Sequence, residues 1–390
     1  MGLATLATYG MTVERGFLCP FDAPSIVLGG DLDEAREIAL RLPEILPSGT
    51  VRNVLEKLAV VSPERIAELD EVRARMAMVH YSFLAQAYVW GAKAPATVLP
   101  PAVAIPIVAL ADRLGQQPLL QYSGYVLDNW GLLDRAESVS LDNIYMLQKF
   151  AAGTDEAWFV LVHVAIEARA GAALALFAPL IDAAANGDAD QATRLLERIV
   201  AIWSDINALF DRMPEQCDPY IYFRRVRPYI HGWKDNPALG GGVIYQGVER
   251  YRGAPQAFRG QTGSQSSIVP SMDALLGVGH ASDPLRTYLD ELHIYRPPGH
   301  RRFLDDVRTE SHVRSFVKRI GRKDLTAAYN AAVQAVADFR SRHLEYAASY
   351  INMQGRNSAG NDNEIGTGGT PFMKYLKKHR DETKANLLVI

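Results

Sequence analysis

Two histidines lie within predicted helices that are otherwise apolar, and both could do chemistry. His163 is the only polar residue between Ala157 and Ile166, a segment that is apolar on every side and is therefore predicted to be buried. Phe159 and Glu167 share its face, because residues four apart stack along a helix. His163 is therefore either a core histidine bonded to a carboxylate or a histidine that faces a ligand cavity.

His343 occupies a core-facing position of a second predicted helix. Apolar and aromatic residues recur there at alternating spacings of four and three: Leu325, Tyr329, Ala332, Val336, Phe339, His343, Tyr346 and Tyr350. Alanines flank this stripe and would let a flat macrocycle lie close to the helix. An apolar helix that presents one neutral imidazole is what a proximal haem ligand requires. The alternative is an ordinary histidine, hydrogen-bonded in the core or at the surface.

Cysteine and motif content restrict the other metal chemistries. Two cysteines against nine histidines exclude a disulfide scaffold, a four-cysteine zinc site and an iron–sulfur cluster built from this chain alone. The patterns HExxH and CxxCH are absent, so a haem would not be covalently attached. The remaining histidines show no ligand-like spacing along the sequence: His80, His231, His280, His293, His300, His312 and His379.

Two segments have the composition of an anion site. Residues 222–227 place aromatic side chains beside three arginines, and a planar guanidinium can hold a carboxylate through two parallel bonds. A solvated basic helix face would account equally well for Arg224 or Arg225. Residues 366–370, GTGGT, can present backbone N–H groups and hydroxyls to an anion, although this composition is also typical of a flexible linker.

Helical periodicity dominates the elements that would position these residues, so the fold is predicted to be mostly α. Ser62, Pro63 and Glu64 have the pattern of a helix start, and an apolar stripe follows them at helical spacing as far as Phe83. A length of 390 residues fits two domains or one large one, and we place a boundary near residues 145–150.

The charge balance argues against several partner classes. With 41 basic and 44 acidic residues, the net charge of −3 gives no electrostatic footprint for nucleic acid or an anionic membrane. The N-terminal residues lack a basic region followed by a long apolar run. We therefore expect a cytoplasmic protein with no nucleic-acid or membrane partner.

Together, these segments resemble the indoleamine 2,3-dioxygenase family over most of the chain, most strongly from about residue 118 onward. The resemblance is carried by the ordered motifs GTDEAWFVLVHVAIE, DPYIYFRRVRPYIHGWKDNPAL, FRGQTGSQSSIVPSMDALLG, YRPPGHRRFL, RSRHLEYAASYI and GTGGTPFMKYLK. It implies an all-α protein with a small N-terminal domain, residues 1–147, and a large C-terminal domain, residues 148–390, that encloses haem b.

The resemblance also implies an activity, which is oxidative opening of the indole C2–C3 bond of L-tryptophan with O2 to give N-formylkynurenine. This places the chain in tryptophan catabolism by the kynurenine pathway. The haem must be ferrous for activity, so an electron donor is an expected partner. A monomer is slightly favoured as the oligomeric state.

Residue roles follow from the same resemblance. His343 falls at the proximal iron ligand, and Arg227 falls at the arginine that pairs with the substrate carboxylate. Thr367, beside Gly366, lies in the GTGGT loop that closes over the carboxylate and the ammonium group. The expected indole pocket consists of Tyr122, Phe159, His163, Tyr222, Phe223, Thr262 and Gly263. Thr262 and Gly263 also lie beside the haem edge, and Arg340 and Asp273 match a pair near the haem propionates.

Two departures from the family bear on the substrate rather than on the chemistry. The animal enzymes carry serine where His163 aligns, whereas the related tryptophan 2,3-dioxygenases place a histidine there, near the indole N–H. A distal imidazole could orient the indole or bond to O2. Tyr222 replaces a phenylalanine of the animal enzymes, and its hydroxyl could narrow the pocket or bond a substituted indole.

Three alternatives therefore stand beside the tryptophan reading. One is a dioxygenase of a substituted indole in secondary metabolism. Another is a non-catalytic haem protein that binds or senses a gas, which would need no clamp for an amino acid. The last is a purely structural helical protein.

Overall fold

The computed structural model describes residues 2–282, 284–355, 367 and 372–389. It is 64% helical and 4% strand, which confirms the predicted all-α fold. The α-helices are, in chain order, α1 (Asp31–Leu40), α2 (Leu42–Ser48), α3 (Val51–Leu55), α4 (Pro63–Ala67), α5 (Glu71–Trp90), α6 (Pro101–Leu114), α7 (Asp155–Leu174), α8 (Phe177–Asn186), α9 (Ala189–Asp211), α10 (Pro219–Ile221), α11 (Ile268–Leu276), α12 (Pro284–His293), α13 (Pro298–Glu310), α14 (Val313–Ile320), α15 (Lys323–Ala347), α16 (Met353–Gly355) and α17 (Phe372–Ala385).

Within the described residues, four short strands form two small sheets. Strand β1 (Val98–Leu99) pairs in parallel with β4 (Ile244–Tyr245), and β2 (Trp130–Leu132) pairs antiparallel with β3 (Ile144–Met146). One contiguous cluster of buried hydrophobic side chains extends through both halves of the described chain. The division into domains at residue 147 stays a prediction.

The apolar stripe that follows Ser62 is divided between two helices rather than carried by one. Ser62 caps α4 as expected, because its side chain accepts a hydrogen bond from the backbone N–H of Arg65. Helix α4 then ends at Ala67, and the carboxylate of Asp70 caps α5 by accepting from the N–H of Arg73 at 2.7 Å. A second capping residue within the stripe therefore starts a new helix.

Helix α7 begins at Asp155, one residue after Thr154, and forms part of the core. The helical stretch Asp155–Asn186 is long and apolar enough to cross a membrane by length and composition, with a mean hydropathy of 1.7. However, 72% of its most apolar window is buried inside the protein, as in ordinary core helices, so this stretch is weak evidence for a membrane span.

Helix α9 lies between the two helices that carry the candidate histidines. It packs along α15, which holds His343, and along α7, which holds His163. Helix α15 also packs against α17 and α11. A third helix, which carries neither histidine, therefore links the two helices that hold them.

Three segments in the part of the chain that the structure describes have the wider π-helical turn, and each lies close to candidate site residues. They are Ser123–Leu127, directly after Tyr122; Tyr222–Val226, directly before Arg227; and Ala348–Asn352, which continues α15 beyond His343. Single π turns occur frequently at functional sites, because the extra residue re-aims the side chains around it.

Candidate active site

His163 and His343 line the same internal space. A cavity of about 600 Å³ lies among α7, α9, α11, α12, α13, α15 and α17. A smaller cavity of about 160 Å³ adjoins it, and both histidines line both cavities. The larger volume falls within the range of about 300–1,000 Å³ that is typical of sites for cofactors and small molecules.

The imidazole of His343 is neutral and available to a ligand. Burial lowers its pKa to about 4, and the neighbouring His163 and Arg340 act in the same direction. The structure gives its ring nitrogens no hydrogen-bond partner among the described residues, although the side chain faces the cavity. A neutral, unbonded imidazole beside a cavity of this size has the chemistry of an axial haem ligand.

His163 is held in one tautomer by its own helix. Its Nδ1 atom lies 2.7 Å from the carbonyl oxygen of Phe159, which can only accept a hydrogen bond, so Nδ1 carries the proton. Burial lowers the pKa of the imidazole and keeps the ring neutral near pH 7. The Nε2 atom is therefore left as a hydrogen-bond acceptor on a side chain that lines the cavity.

Phe210, near the end of α9, lies close to both imidazoles. Its ring centroid is 6.2 Å from that of His163 and 6.3 Å from that of His343. The sequence analysis did not identify this residue, because nothing in its local pattern separates it from other core positions. Its position on the helix that contacts both α7 and α15 is a tertiary feature.

Aromatic side chains form much of the wall of the smaller cavity. Phe159 stacks at a tilt on Tyr222, with ring centroids 4.7 Å apart, and Tyr222 meets Tyr350 edge to face at 5.9 Å. Among the described residues, the Tyr222 hydroxyl has no hydrogen-bond partner. Two of the predicted pocket residues, Phe159 and Tyr222, are therefore in direct ring contact beside the cavity.

A buried carboxyl group lies one turn beyond His163 and bonds to the cavity wall. Glu167 accepts hydrogen bonds from the hydroxyls of Tyr122 at 2.9 Å and Ser266 at 2.8 Å, and both of these residues line the larger cavity. The other Glu167 oxygen, Oε2, has no partner among the described residues. Burial raises the pKa of Glu167 to about 7, so the group can change its protonation near neutral pH.

Arg340 and Asp273 form an ion pair at one edge of the larger cavity. The guanidinium of Arg340 donates to both oxygens of Asp273, at 3.0 and 2.6 Å, and also to the Thr383 hydroxyl. Burial acts to raise the pKa of Asp273, but Arg340 and His280 outweigh it and lower the pKa. The pair is therefore a fixed ionic group in the cavity wall.

Arg227 lies in the protein interior and lines neither of the two cavities described. It is 0% exposed, its Nη1 donates to Nε2 of His231 at 3.2 Å, and its guanidinium lies over the ring of Phe223 at 5.4 Å. Phe223 is likewise fully buried and lines neither cavity. The structure therefore places both of these predicted substrate-contacting residues outside the lining of the two cavities.

Thr367 lines the smaller cavity and bonds to two other segments, one of which also lines it. Its hydroxyl donates to the carbonyl of Gln261 at 2.6 Å, and its own carbonyl accepts from the N–H of Gly232 at 3.2 Å. Thr262 and Gly263 line the same cavity next to Gln261. Gly366, by contrast, lies outside the described residues, as do residues 368–370.

The comparisons with known proteins agree on one family. The family model described as indoleamine 2,3-dioxygenase matches residues 5–386. The chain is 29% identical to indoleamine 2,3-dioxygenase 2 of Homo sapiens over 98% of its own length and 96% of that protein. It is 32% identical to indoleamine 2,3-dioxygenase 1 of Rattus norvegicus, covering 90% and 88% of the two chains. It is 30% identical to indoleamine 2,3-dioxygenase nanC of Aspergillus nanangensis, covering 89% and 88%.

Proposed function

Because the chain belongs to the indoleamine 2,3-dioxygenase family, and is thus a haem-dependent dioxygenase that acts on indoles, we propose that its substrate is L-tryptophan. The product would be N-formylkynurenine, formed by insertion of O2 across the indole C2–C3 bond. The observation that supports the proposal best is the pair of neutral imidazoles, His163 and His343, on one cavity with an aromatic wall. Membership of an enzyme family argues against the gas-sensing and purely structural alternatives.

Haem b fits the residues of the larger cavity. His343 would hold the iron through a ring nitrogen that has no other partner among the described residues, and Arg340 with Asp273 offers a fixed polar edge for the propionates. Gly263, Ala274 and Gly277 line the same cavity and leave room for a flat ring. When bound, ferrous haem supplies the O2 chemistry.

His163 orients the indole in this proposal. An indole N–H can only donate, and the Nε2 atom of His163 can only accept while Nδ1 is bonded to Phe159. The two groups are therefore complementary, and a hydrogen bond between them would fix the direction of the five-membered ring. Fixing the ring places the C2–C3 bond for reaction, which is the contribution that positioning makes to catalysis.

The aromatic wall buries the rest of the ring system and excludes water. Phe159, Phe210 and Tyr222 present ring faces and edges to the smaller cavity, and an indole can pack on them in offset or edge-to-face geometry. Burial of a flat apolar ring against such walls is favourable in itself, and the expelled water cannot compete for reactive species.

The amino-acid end of the substrate is assigned to Arg227 and Thr367. A bidentate guanidinium suits a carboxylate, and a threonine hydroxyl can bond either the carboxylate or the ammonium. Two hydrogen bonds support this assignment. The carbonyl oxygen of Thr367 accepts from the backbone N–H of Gly232, and Arg227 donates to the ring of His231, the residue before Gly232. The two residues thus belong to segments that are bonded to one another.

Tyr222 favours a second candidate substrate, an indole that carries a polar substituent. Its hydroxyl has no partner among the described residues and the side chain lines the smaller cavity. A substituent oxygen or nitrogen on the six-membered ring could bond this hydroxyl. Phenylalanine at this position would offer no such bond.

Product analysis across a panel of indoles tests the proposal. The purified protein, with reductant and O2, should convert L-tryptophan to a product with the near-ultraviolet absorbance and mass of N-formylkynurenine. A substituted indole turned over at least tenfold better in kcat/KM would transfer the assignment to the second candidate. Absence of product from every indole in the panel would refute both.

Several expectations accompany this proposal and stay predictions. They are an electron donor that keeps the iron ferrous, a place in the kynurenine pathway, a cytoplasmic location, a monomeric state and the two domains 1–147 and 148–390.

A further inference from the structure

Three ligand-type side chains converge at the rim of the larger cavity, away from the two histidines already discussed. His280 follows α11, and His379 and Glu382 lie on α17. One potential ligand atom from each residue lies within 4.8 Å of the others, and all three side chains are partly buried. His280 and Glu382 are separated by 102 residues, so spacing along the sequence could not reveal the cluster.

The geometry of the cluster suits chelation. His379 and Glu382 are three apart on α17, so their side chains leave the same face of the helix. His280 enters from the facing loop, and its Nδ1 atom lies 2.7 Å from Oε2 of Glu382. Two imidazoles and one carboxylate form a common donor set for Zn²⁺ in proteins that keep one coordination position open.

His280 also has the outer partner that metal-bound histidines usually have. Its Nε2 atom lies 3.2 Å from Oδ2 of Asp273, which is itself held by Arg340 at 2.6 Å. Without a cation, both ring nitrogens face carboxylate oxygens and donate to them. Binding of a cation would displace the Nδ1 proton to solvent, and the Nδ1 lone pair would then face the site while Nε2 still donates to Asp273. Such carboxylate–histidine pairs orient the ring and make it a stronger ligand.

The charges around the cluster are balanced before any cation enters. Asp273 is paired with Arg340, and the Oε1 atom of Glu382 lies 3.5 Å from Nζ of Lys378 and accepts from the N–H of Ala281 at 3.3 Å. A tetrahedral Zn²⁺ with bonds of about 2.1 Å separates its ligand atoms by about 3.4 Å. His280 and Glu382, now 2.7 Å apart, must therefore separate by roughly 0.7 Å, and no pair of ligand atoms, all within 4.8 Å of one another, must approach by more than roughly 1.4 Å. Small side-chain rotations can supply both movements.

We propose that His280, His379 and Glu382 form a binding site for one Zn²⁺ ion, separate from the haem iron. The ion would replace the hydrogen bond between His280 and Glu382 with two metal bonds. It would also tie α17, which lines both cavities through Leu376 and His379, to the loop after α11. His343 is not part of the proposed zinc site, and the zinc proposal does not depend on which indole is the substrate.

Zinc binding to the haem-loaded protein, prepared without an affinity tag, tests this inference. After treatment with a chelator and dialysis, titration with ZnCl₂ should give one Zn²⁺ per chain by calorimetry and elemental analysis, which distinguishes zinc from the iron of haem. His379→Gln and Glu382→Gln should each weaken binding at least tenfold. His312→Gln, which alters an exposed histidine outside the cluster, should bind zinc like the unmodified chain.

A second measurement keeps the test decisive if one variant folds poorly. Zn²⁺ should raise the midpoint of thermal unfolding of the unmodified chain and of His312→Gln, but not that of Glu382→Gln, with an unchanged Soret band in all three. No stoichiometric zinc, or equal zinc affinity in all the variants, would overturn the proposal. The cluster would then be a hydrogen-bonded network only.

Discussion

The Nδ1 atom of His163 lies 2.7 Å from the carbonyl oxygen of Phe159, one turn earlier in α7. This contact decides which hydrogen bonds His163 can make in the cavity. With Nδ1 donating to the helix, the neutral ring offers the cavity an acceptor and no donor. Of the two roles expected for a distal imidazole, orientation of the indole N–H fits this tautomer, whereas donation of a hydrogen bond to O2 does not.

Replacement of His163 by serine should therefore change selectivity toward the indole nitrogen. For the unmodified chain, methylation of the indole nitrogen of tryptophan should lower kcat/KM by roughly fivefold to tenfold, because it removes one hydrogen bond. In His163→Ser, the two substrates should differ much less. Steady-state kinetics gives the ratio of kcat/KM for tryptophan to kcat/KM for its N-methyl derivative in each protein. Equal ratios in the unmodified chain and in His163→Ser would contradict the assigned role.

If His343 holds the iron as proposed, its replacement by alanine should abolish stable haem incorporation, because the iron would lose its protein ligand. The purified variant should lack a Soret band, and added imidazole should restore part of it by occupying the space of the missing ring. His312→Ala serves as the matched control, since His312 is exposed and outside the cavity. A normal haem content in His343→Ala would show that another residue holds the iron.

Replacement of Arg227 by alanine should raise KM for L-tryptophan by about 100-fold, since truncation of one partner of a buried charged hydrogen bond typically costs 2–5 kcal/mol. Tryptamine, which lacks the carboxylate, should be affected much less. The control is Arg225→Ala, which changes an exposed arginine of the same segment. A proportional loss for both substrates would indicate a structural role for Arg227 and none in carboxylate binding.

Replacement of Glu167 by glutamine should reduce the pH dependence of stability between about pH 4.5 and 7. Burial raises the pKa of the folded carboxyl to about 7 from an ordinary value of 4.5, so the folded chain retains a proton that the unfolded chain releases. The free energy of unfolding therefore falls as pH rises through this window, by on the order of 3 kcal/mol from this group.

Urea unfolding at several pH values measures this effect. In Glu167→Gln, the free energy of unfolding should fall less steeply with rising pH than in the unmodified chain. In Glu14→Gln, which changes an exposed carboxyl, the slope should stay as it is in the unmodified chain. Part of the slope should persist in Glu167→Gln, because burial also raises the pKa of Glu156 to about 7. Identical slopes for Glu167→Gln and the unmodified chain would mean that Glu167 is ionised throughout.

The sequence predicted those features that depend on local periodicity. The helices around His163 and His343 lie where their apolar stripes indicated, because helical spacing determines which residues share a face. The division of the stripe after Ser62 was not predicted, since Asp70 acts as a cap only when its carboxylate reaches the N–H of Arg73. Propensity alone does not distinguish that arrangement from an exposed aspartate in a continuous helix.

Contacts between distant segments could not be predicted from the sequence. One of the two sequence-based interpretations of His163 bonded it to a carboxylate, and Glu167 shares its face; in the structure Glu167 instead bonds Tyr122, 45 residues earlier, and Ser266, 99 residues later. The π turns beside Tyr122 and Arg227 have no distinct periodic signature, because one extra residue is too short a signal. The position of Phe210 depends on how α9 packs, which no local pattern encodes.

Helix α9 touches both α7 and α15, and this has a consequence for how the active site could diversify. Among the described residues of α9, Phe210 lines both cavities, and the rest of the helix packs against α7 and α15 from outside them. A bulkier or smaller side chain at one of those other buried positions would shift α7 or α15 without altering any residue that lines the cavities. Substitutions in α9 can thus change the size of indole that the cavities accept, while the residues that line them stay the same.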